Sequence, residues 1–246
     1  MTALAPRAFG GLGPLSAPSF VDCLFGLWRA VVRRNPFVLV ISGPSGAGKS
    51  TFVKRLLQHH ADLRFSISAT TRPVREGERD GRDYHFWGDA DFQERIRAGA
   101  FLEYADVHGA RYGTLRSEVF PALDSGLCPL LDIDVQGGLR VKQELPDAVL
   151  VFLLAPTMRI QEGRLRGRGT EPEDKIQRRL AAAADEIRCL SRYDYVVVNN
   201  AIDVTEADLE AVVRAERLRR HRLTDSAGGP DVAEEYLRDW ARPPAP

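Results

Sequence analysis

With 246 residues, 44% apolar and 28% charged, the chain has an ordinary globular composition and enough length for a sizeable core. Lys plus Arg equal Asp plus Glu at 34 each, so no global charge steers it to nucleic acid or to an acidic membrane. Cys23, Cys128 and Cys189 are odd in number and lack metal-ligand spacing, which reads as free thiols in a reducing, cytoplasmic setting. No apolar run approaches the ~20 residues needed to span a bilayer, and no internal repeat is visible.

Residues 1–35 are set apart by composition. Met1 to Pro18 are rich in Ala, Gly, Pro and Ser, a disordered signature. Val21, Leu24, Phe25, Trp28 and Val32 then share one face of a candidate helix, which Pro36 stops. A docking helix or a variable tail is the favoured reading, with a transit peptide or a membrane-surface helix behind it. Asp22 and Arg29 argue against a signal peptide.

The next stretch, Phe37 to Leu57, organises the chain. Its β-branched and aliphatic start predicts a strand buried on both faces. Phe52, Val53, Leu56 and Leu57 share a face at helical spacing. Between them lies Gly43-x-x-x-x-Gly48-Lys49-Ser50, the phosphate-binding loop. Its glycines let backbone N–H groups turn inward, and the helix N-terminus adds its positive dipole end. Lys49 can reach the β- and γ-phosphates, and the Ser50 hydroxyl can ligate Mg²⁺. A glycine-rich turn that binds nothing would not need this whole order of parts.

Further along, Phe65 and Ile67 alternate with serines, predicting a half-buried strand. Arg72, Arg75 and Tyr84 follow in a segment broken by Pro73, Gly77 and Gly81. Two arginines and a tyrosine can form a phosphate fork, although such runs are usually solvated loops. Leu130 to Val135 reads as a buried strand ending in Asp132 and Asp134, as expected at a nucleotide site. An amphipathic segment Leu139 to Leu145, a strand Ala148 to Leu154 and a helix from Thr157 continue the alternation, predicting a parallel, doubly wound sheet.

Arg164, Arg166 and Arg168, interleaved with Gly167 and Gly169, form a cationic stretch. Thr170 to Glu173 reads as a capping box for a helix carrying Arg178 and Arg179. Tyr195 to Asn199 predicts another buried strand. Residues 221–246 read as a tail with one candidate helix, Val232 to Trp240.

Taken together, Gly-Pro-Ser-Gly-Ala-Gly-Lys-Ser-Thr from Gly43 and the Phe65 to Tyr84 segment resemble the guanylate kinases. Phe101-Leu-Glu-Tyr-Ala, Arg111-Tyr-Gly-Thr, Leu131-Asp-Ile-Asp-Val-Gln-Gly-Gly, Gly167-Arg-Gly-Thr-Glu and Val198-Asn199 extend the resemblance, in order, from about Phe37 to about Arg217. It implies a phosphate-loop NTPase three-layer α/β fold over 36–220 with a parallel central sheet. It also implies an inserted mixed α/β GMP-binding region (about 68–118) and a helical lid (about 159–180). The implied reaction moves the γ-phosphoryl of ATP to GMP with Mg²⁺.

By the same resemblance, Gly43, Pro44, Ser45, Gly46, Ala47, Gly48, Lys49, Ser50, Thr51 and Asn199 hold ATP. Ser68, Arg72, Arg75, Tyr84, Glu103, Tyr112, Thr114 and Asp134 surround GMP. Ser50 and, through water, Asp132 attend the metal. Lys49, Arg72, Arg164, Arg168 and Arg179 serve the chemistry, whereas Arg166 and Arg178 do not clearly match lid positions. Guanine offers N1–H and its 2-amino group as donors and O6 as acceptor, so Glu103 and Asp134 suit the first edge, and Ser68 and Thr114 suit O6. A ribose-bisphosphate kinase would have no base for those acids to read, and a non-catalytic binding module would not need Gly48-Lys49-Ser50. The implied partners are small molecules, with no nucleic acid and no membrane; monomer and homo-oligomer stand equal.

Overall fold

A computed structural model describes residues 33–107, 109–167, 173–224 and 237. The candidate helix at Val21 to Val32, Arg168, the capping residues Thr170 to Pro172, and all of Val232 to Trp240 except Leu237 lie outside them. Residues 34–222 form one compact unit; a second groups 1–33 with 223–246, and only Arg33, Leu223, Thr224 and Leu237 of it are described.

Five parallel strands make the central sheet of the larger unit: β1 (Leu39–Ser42), β2 (Leu63–Phe65), β7 (Cys128–Asp132), β8 (Val149–Leu154) and β9 (Tyr195–Val198). Their order is β9-β8-β1-β7-β2, with Leu39 in register with Leu130 on one side and Val149 on the other. β1 is therefore central and wholly buried, as its unbroken apolar run predicts. Alternation sends Leu39 and Ile41 to one face, against Phe52, Val53 and Leu56 of α1 (Lys49–His59) and Leu209 and Val213 of α7 (Ile202–Arg217). Val38 and Val40 go to the other face, with Val119 of α3 (Arg116–Asp124) and Leu139 and Val141 of α4 (Val135–Glu144). Each such fully buried side chain contributes about 1.5–3 kcal/mol by leaving water.

A second, mixed sheet has the order β4-β3-β6-β5: β3 (Ala69–Thr70), β4 (His85–Phe86), β5 (Phe101–Val107) and β6 (Ala110–Leu115). β3 runs parallel to β4 and antiparallel to β6, and β5 and β6 form a hairpin. α2 (Asp89–Arg97) packs Phe92 against Phe101, with ring centroids 4.5 Å apart. Beyond β8 come α5 (Met158–Arg166), N-capped by the Thr157 hydroxyl, and α6 (Glu173–Ile187).

Three sequence expectations need correction. Phe65 and Ile67 do not share one half-buried strand: β2 ends at Phe65, the chain crosses to the second sheet, and Ser66 and Ser68 are the buried residues. The run Tyr195 to Asn199 is not buried throughout. β9 is an edge strand, and Val196 and Val198 are 49% and 45% exposed. Asp134 lies past the end of β7, and its carboxylate caps α4 by accepting from the Gly137 N–H at 2.9 Å.

Candidate active site

The carboxyl ends of β1 and β7 open into a cavity of about 240 Å³. On one side the chain leaves β1 through the glycine-rich loop and enters α1. Gly43 (φ +146°) and Gly48 (φ +99°) take left-handed backbone angles, and a Cβ at either would overlap the Leu153 carbonyl oxygen or Asn199 Nδ2. Outside partners fix the loop: Asn199 Nδ2 donates to the Ala47 carbonyl (2.7 Å) and Gln161 Nε2 to the Ser45 carbonyl (3.0 Å). The first turn of α1 carries no acid and no side-chain cap, so its N–H groups and dipole are left for an anion. Lys49 Nζ donates to the Gly43 carbonyl at 2.6 Å and lines the cavity.

The opposite wall comes from the second sheet and its loops. Ser68, Arg72, Arg75, Tyr84, Glu103 and Tyr112 all line the cavity, as do Asp132 and Asp134 after β7. Arg72 stacks over Tyr84, its guanidinium carbon 5.4 Å from the ring centroid, and Tyr84 meets Tyr112 edge-on at 5.9 Å. Burial first, and then Asp132 and Tyr112, push the Tyr84 hydroxyl up to about 12, so it stays a neutral donor at ordinary pH. Glu103 is 7% exposed. Its Oε1 accepts from the Thr114 N–H (3.1 Å) and from the Thr114 hydroxyl (2.7 Å). Burial raises its carboxyl to about 7, against the pull of those two bonds. Thr114 is itself buried behind Glu103 and is not part of the cavity wall.

Asp132 faces Lys49 across the floor. Burial raises its carboxyl while Lys49 lowers it, and among the described residues no hydrogen bond reaches its side chain. A carboxyl oxygen is a ligand that suits a hard divalent cation; Ser50, at the start of α1, is exposed and does not line the cavity.

Of the cationic residues, Arg179 lines the cavity, whereas Arg164 binds the Asn199 carbonyl through Nη2 at 3.1 Å. Arg166 is exposed and paired with Glu162 and Glu173. Arg168 lies outside the described residues. Two cavity acids escaped the sequence reading. Glu78 grips Arg72, and its signal was a carboxylate three residues after Arg75 in an otherwise cationic loop. Glu186 of α6 also lines the wall; burial pushes its carboxyl up while Lys49 pulls it down. Its position on a helix distant in sequence gave no local signal.

A doubly wound parallel sheet with a glycine-rich loop at its switch point defines a nucleotide-binding α/β protein. The guanylate kinase family profile matches residues 34–216. A curated guanylate kinase of Anaeromyxobacter dehalogenans is 52% identical over 215 residues, spanning 86% of this chain and 95% of that protein. One from Neisseria gonorrhoeae is 46% identical over 189 residues, spanning 77% and 92%. The crystal structure of guanylate kinase from Anaplasma phagocytophilum superposes with a TM-score of 0.67 at 31% identity, covering 78% of this chain and 92% of that one. The chain belongs to the guanylate kinase family and is an enzyme.

Proposed function

We propose that this enzyme transfers the γ-phosphoryl group of ATP to GMP, giving ADP and GDP. One observation carries the reading: a single cavity has a phosphate loop on one wall and, facing it, an Arg72–Arg75–Tyr84 cluster beside the buried carboxyl of Glu103 and the half-buried one of Asp134. Gly43 to Thr51 would cradle the donor phosphates, with Lys49 leaving the Gly43 carbonyl to follow the migrating group. Asn199, held against the loop, would lie beside the donor base. Arg72, Arg75 and Tyr84 would hold the acceptor phosphate in line, and Tyr112 would close that end.

Glu103 Oε1 is already occupied by Thr114, which leaves Oε2 to accept from guanine; Asp134, whose Oδ1 takes Gly137, has its Oδ2 left. These two oxygens suit N1–H and the 2-amino group. With the Thr114 hydroxyl donated to Glu103, donation to O6 falls to Ser68. Adenine presents an acceptor at N1 and would strand a buried carboxylate. Such a site can reject the wrong base by ~10⁴ or more.

Ser50 and, through water, Asp132 would hold Mg²⁺, which would supply positive charge to the phosphates. Arg164, Arg168 and Arg179 would stabilise the charge that develops in transfer. The assigned domain is 36–220, with a GMP-binding region at about 68–118 and a lid at about 159–180, flanked by an extension (1–35) and a tail (221–246). The reading also assigns a cytoplasmic enzyme; among the described residues, no helix is long and apolar enough to cross a membrane. A coupled ADP-release assay comparing GMP with AMP, UMP and ribose 1,5-bisphosphate tests the proposal. Preference for any of the other three would overturn it.

A further inference from the structure

A wall that receives a phosphate should not present a carboxylate to it, yet Glu78 lines the cavity beside Arg72 and Arg75. Its placement is specific. Glu78 Oε1 accepts from Arg72 Nη2 at 2.9 Å, and Oε2 accepts from Nη1 at 3.0 Å, an end-on fork. The same Oε2 accepts the Arg75 backbone N–H at 2.8 Å, and the Glu78 N–H returns to the Arg75 carbonyl at 3.1 Å. Nη1 gives its other hydrogen to the Pro73 carbonyl at 2.6 Å. The guanidinium plane is meanwhile packed over Tyr84 and Phe86, at 5.4 and 5.5 Å.

A guanidinium has five N–H donors in a rigid fork. Glu78 and Pro73 take three of them. The two that remain, on Nε and Nη2, lie parallel along the side edge; the Tyr112 hydroxyl stands beside the guanidinium and would share that edge with, or yield it to, an arriving phosphate. The edge is a bidentate seat for two oxygens of one phosphate. Rotation about the Cδ–Nε bond would spoil that seat, and the Glu78 clasp blocks the rotation.

We propose that Glu78 is a positioning residue: it clasps the end of the Arg72 guanidinium and ties it to the Arg75 backbone, so that the Nε–Nη2 edge is presented to the acceptor's monophosphate. The inference rests on reading the Arg72 cluster as the acceptor-phosphate site. Glu78 touches no reacting atom. It accepts some repulsion of the incoming dianion in exchange for a fixed donor geometry, so its removal weakens binding of the phosphate and leaves the base alone.

The test is a double-mutant cycle with Glu78→Ala, Arg72→Ala and the double variant, read by KM and kcat for GMP and by dissociation constants for GMP and guanosine. Glu78→Ala should raise KM for GMP about tenfold to a hundredfold, the range for a hydrogen bond to a charged group. The value of kcat should stay within about fivefold, the pattern of lost uniform binding, and KM for ATP should not move. Guanosine, which has no phosphate, should bind as to wild type. On the Arg72→Ala background, Glu78→Ala should cost no more than about twofold, because the group it positions is gone. Glu78→Gln, which keeps the shape and one acceptor oxygen, should fall between wild type and Glu78→Ala and covers misfolding of the alanine variant. Equal losses on both backgrounds, or guanosine weakened as much as GMP, would overturn the role. Failure of wild type to turn over GMP would sink the underlying reading instead, so the two failures are distinguishable.

Discussion

The two walls of the cavity are built on different principles. Under the proposed reaction one wall would take the phosphoryl donor and the other the acceptor. The donor wall is mostly backbone: one contiguous loop whose glycines adopt angles other residues avoid, braced from behind by Asn199 and Gln161. The acceptor wall is mostly side chains, brought from Ser68, Arg72, Tyr84, Glu103, Tyr112 and Asp134 on separate strands and loops. A backbone cradle recognises phosphate by shape and dipole and is indifferent to which base hangs from it. A side-chain wall recognises a pattern of donors and acceptors. The donor wall should therefore fail through geometry, and the acceptor wall through charge and hydrogen-bond polarity.

The largest effect is expected at Lys49, whose side-chain charge the proposed transfer uses. Lys49→Ala or Lys49→Met should lower kcat by about a thousandfold, ~4 kcal/mol, with near-native circular dichroism. Retention of activity within tenfold would remove Lys49 from the chemistry. Next in size is Gly48→Ala. A methyl there overlaps Asn199 Nδ2 and forces alanine into a left-handed angle, so the loop must shift. A misplacement of ~1 Å can cost on the order of a hundredfold in turnover. If only thermal stability fell and turnover were kept, the loop's shape would matter less than the comparison of walls holds.

The same asymmetry explains what could be read from the sequence. The donor wall is contiguous, so its strand, loop and helix were legible as one motif, and the alternation of strands and helices set the parallel sheet. On the acceptor wall, Arg72, Arg75 and Tyr84 were legible as a candidate phosphate fork and Asp134 as an acid after a strand, whereas Glu103 became legible by resemblance alone: nothing local marks it as more than an exposed strand residue, and its burial follows from β5 and β6 pairing over α4. Ser66 and Ser68 were misplaced because a period of two looks the same whichever face is buried, and here the chain changes sheets between them. The valines of β9 looked buried because apolar runs carry no mark of a sheet edge. Asp134 looked like a strand end because Asp is equally common as a helix cap, and only the Gly137 N–H decides.

On the acceptor wall, Glu103→Gln sharpens the comparison. GMP should outperform IMP, which lacks the 2-amino group, by roughly tenfold to a few-hundredfold in kcat/KM, because one buried acceptor is left unmatched. Glu103→Gln should shrink that ratio and leave KM for ATP unchanged. Wild type that handled IMP as well as GMP would mean the carboxyls do not read the amine.

The same carboxyl gives a pH signature. Its folded value of about 7 lies above the ordinary 4.5, so between those limits the folded state keeps a proton that the unfolded chain has released. Stability should therefore fall as pH rises through that window, by up to ~3 kcal/mol, and Glu103→Gln should flatten the fall. Guanine's donors favour the ionised form, so GMP affinity should rise by up to ~tenfold per pH unit toward pH 7 and then level off. A flat GMP dissociation constant from pH 5.5 to 7.5 would show that Glu103 does not titrate there.

The smallest effect concerns a residue that shares composition with both walls and belongs to neither. Arg166 sits at the end of α5 between Arg164 and Arg168, where charge alone would nominate it for phosphate contact. Its guanidinium instead donates to Glu162 at 2.9 Å, one turn back, and to Glu173 at the start of α6. Both partners hold its charge further above its ordinary range, and all three side chains stand in solvent. Exposed pairs of this kind gain little, because water screens them and two long side chains must be held still. Arg166→Ala should therefore leave kcat and both KM values within about twofold of wild type, an effect that falls further as salt screens the pair. Arg179→Ala, which empties a position on the cavity wall, should instead lower kcat and kcat/KM together. If the two variants lost activity alike, proximity to the lid's charge as a whole would matter more than which arginine faces the cavity, and the division between a wall and its solvated surroundings would fail at this point.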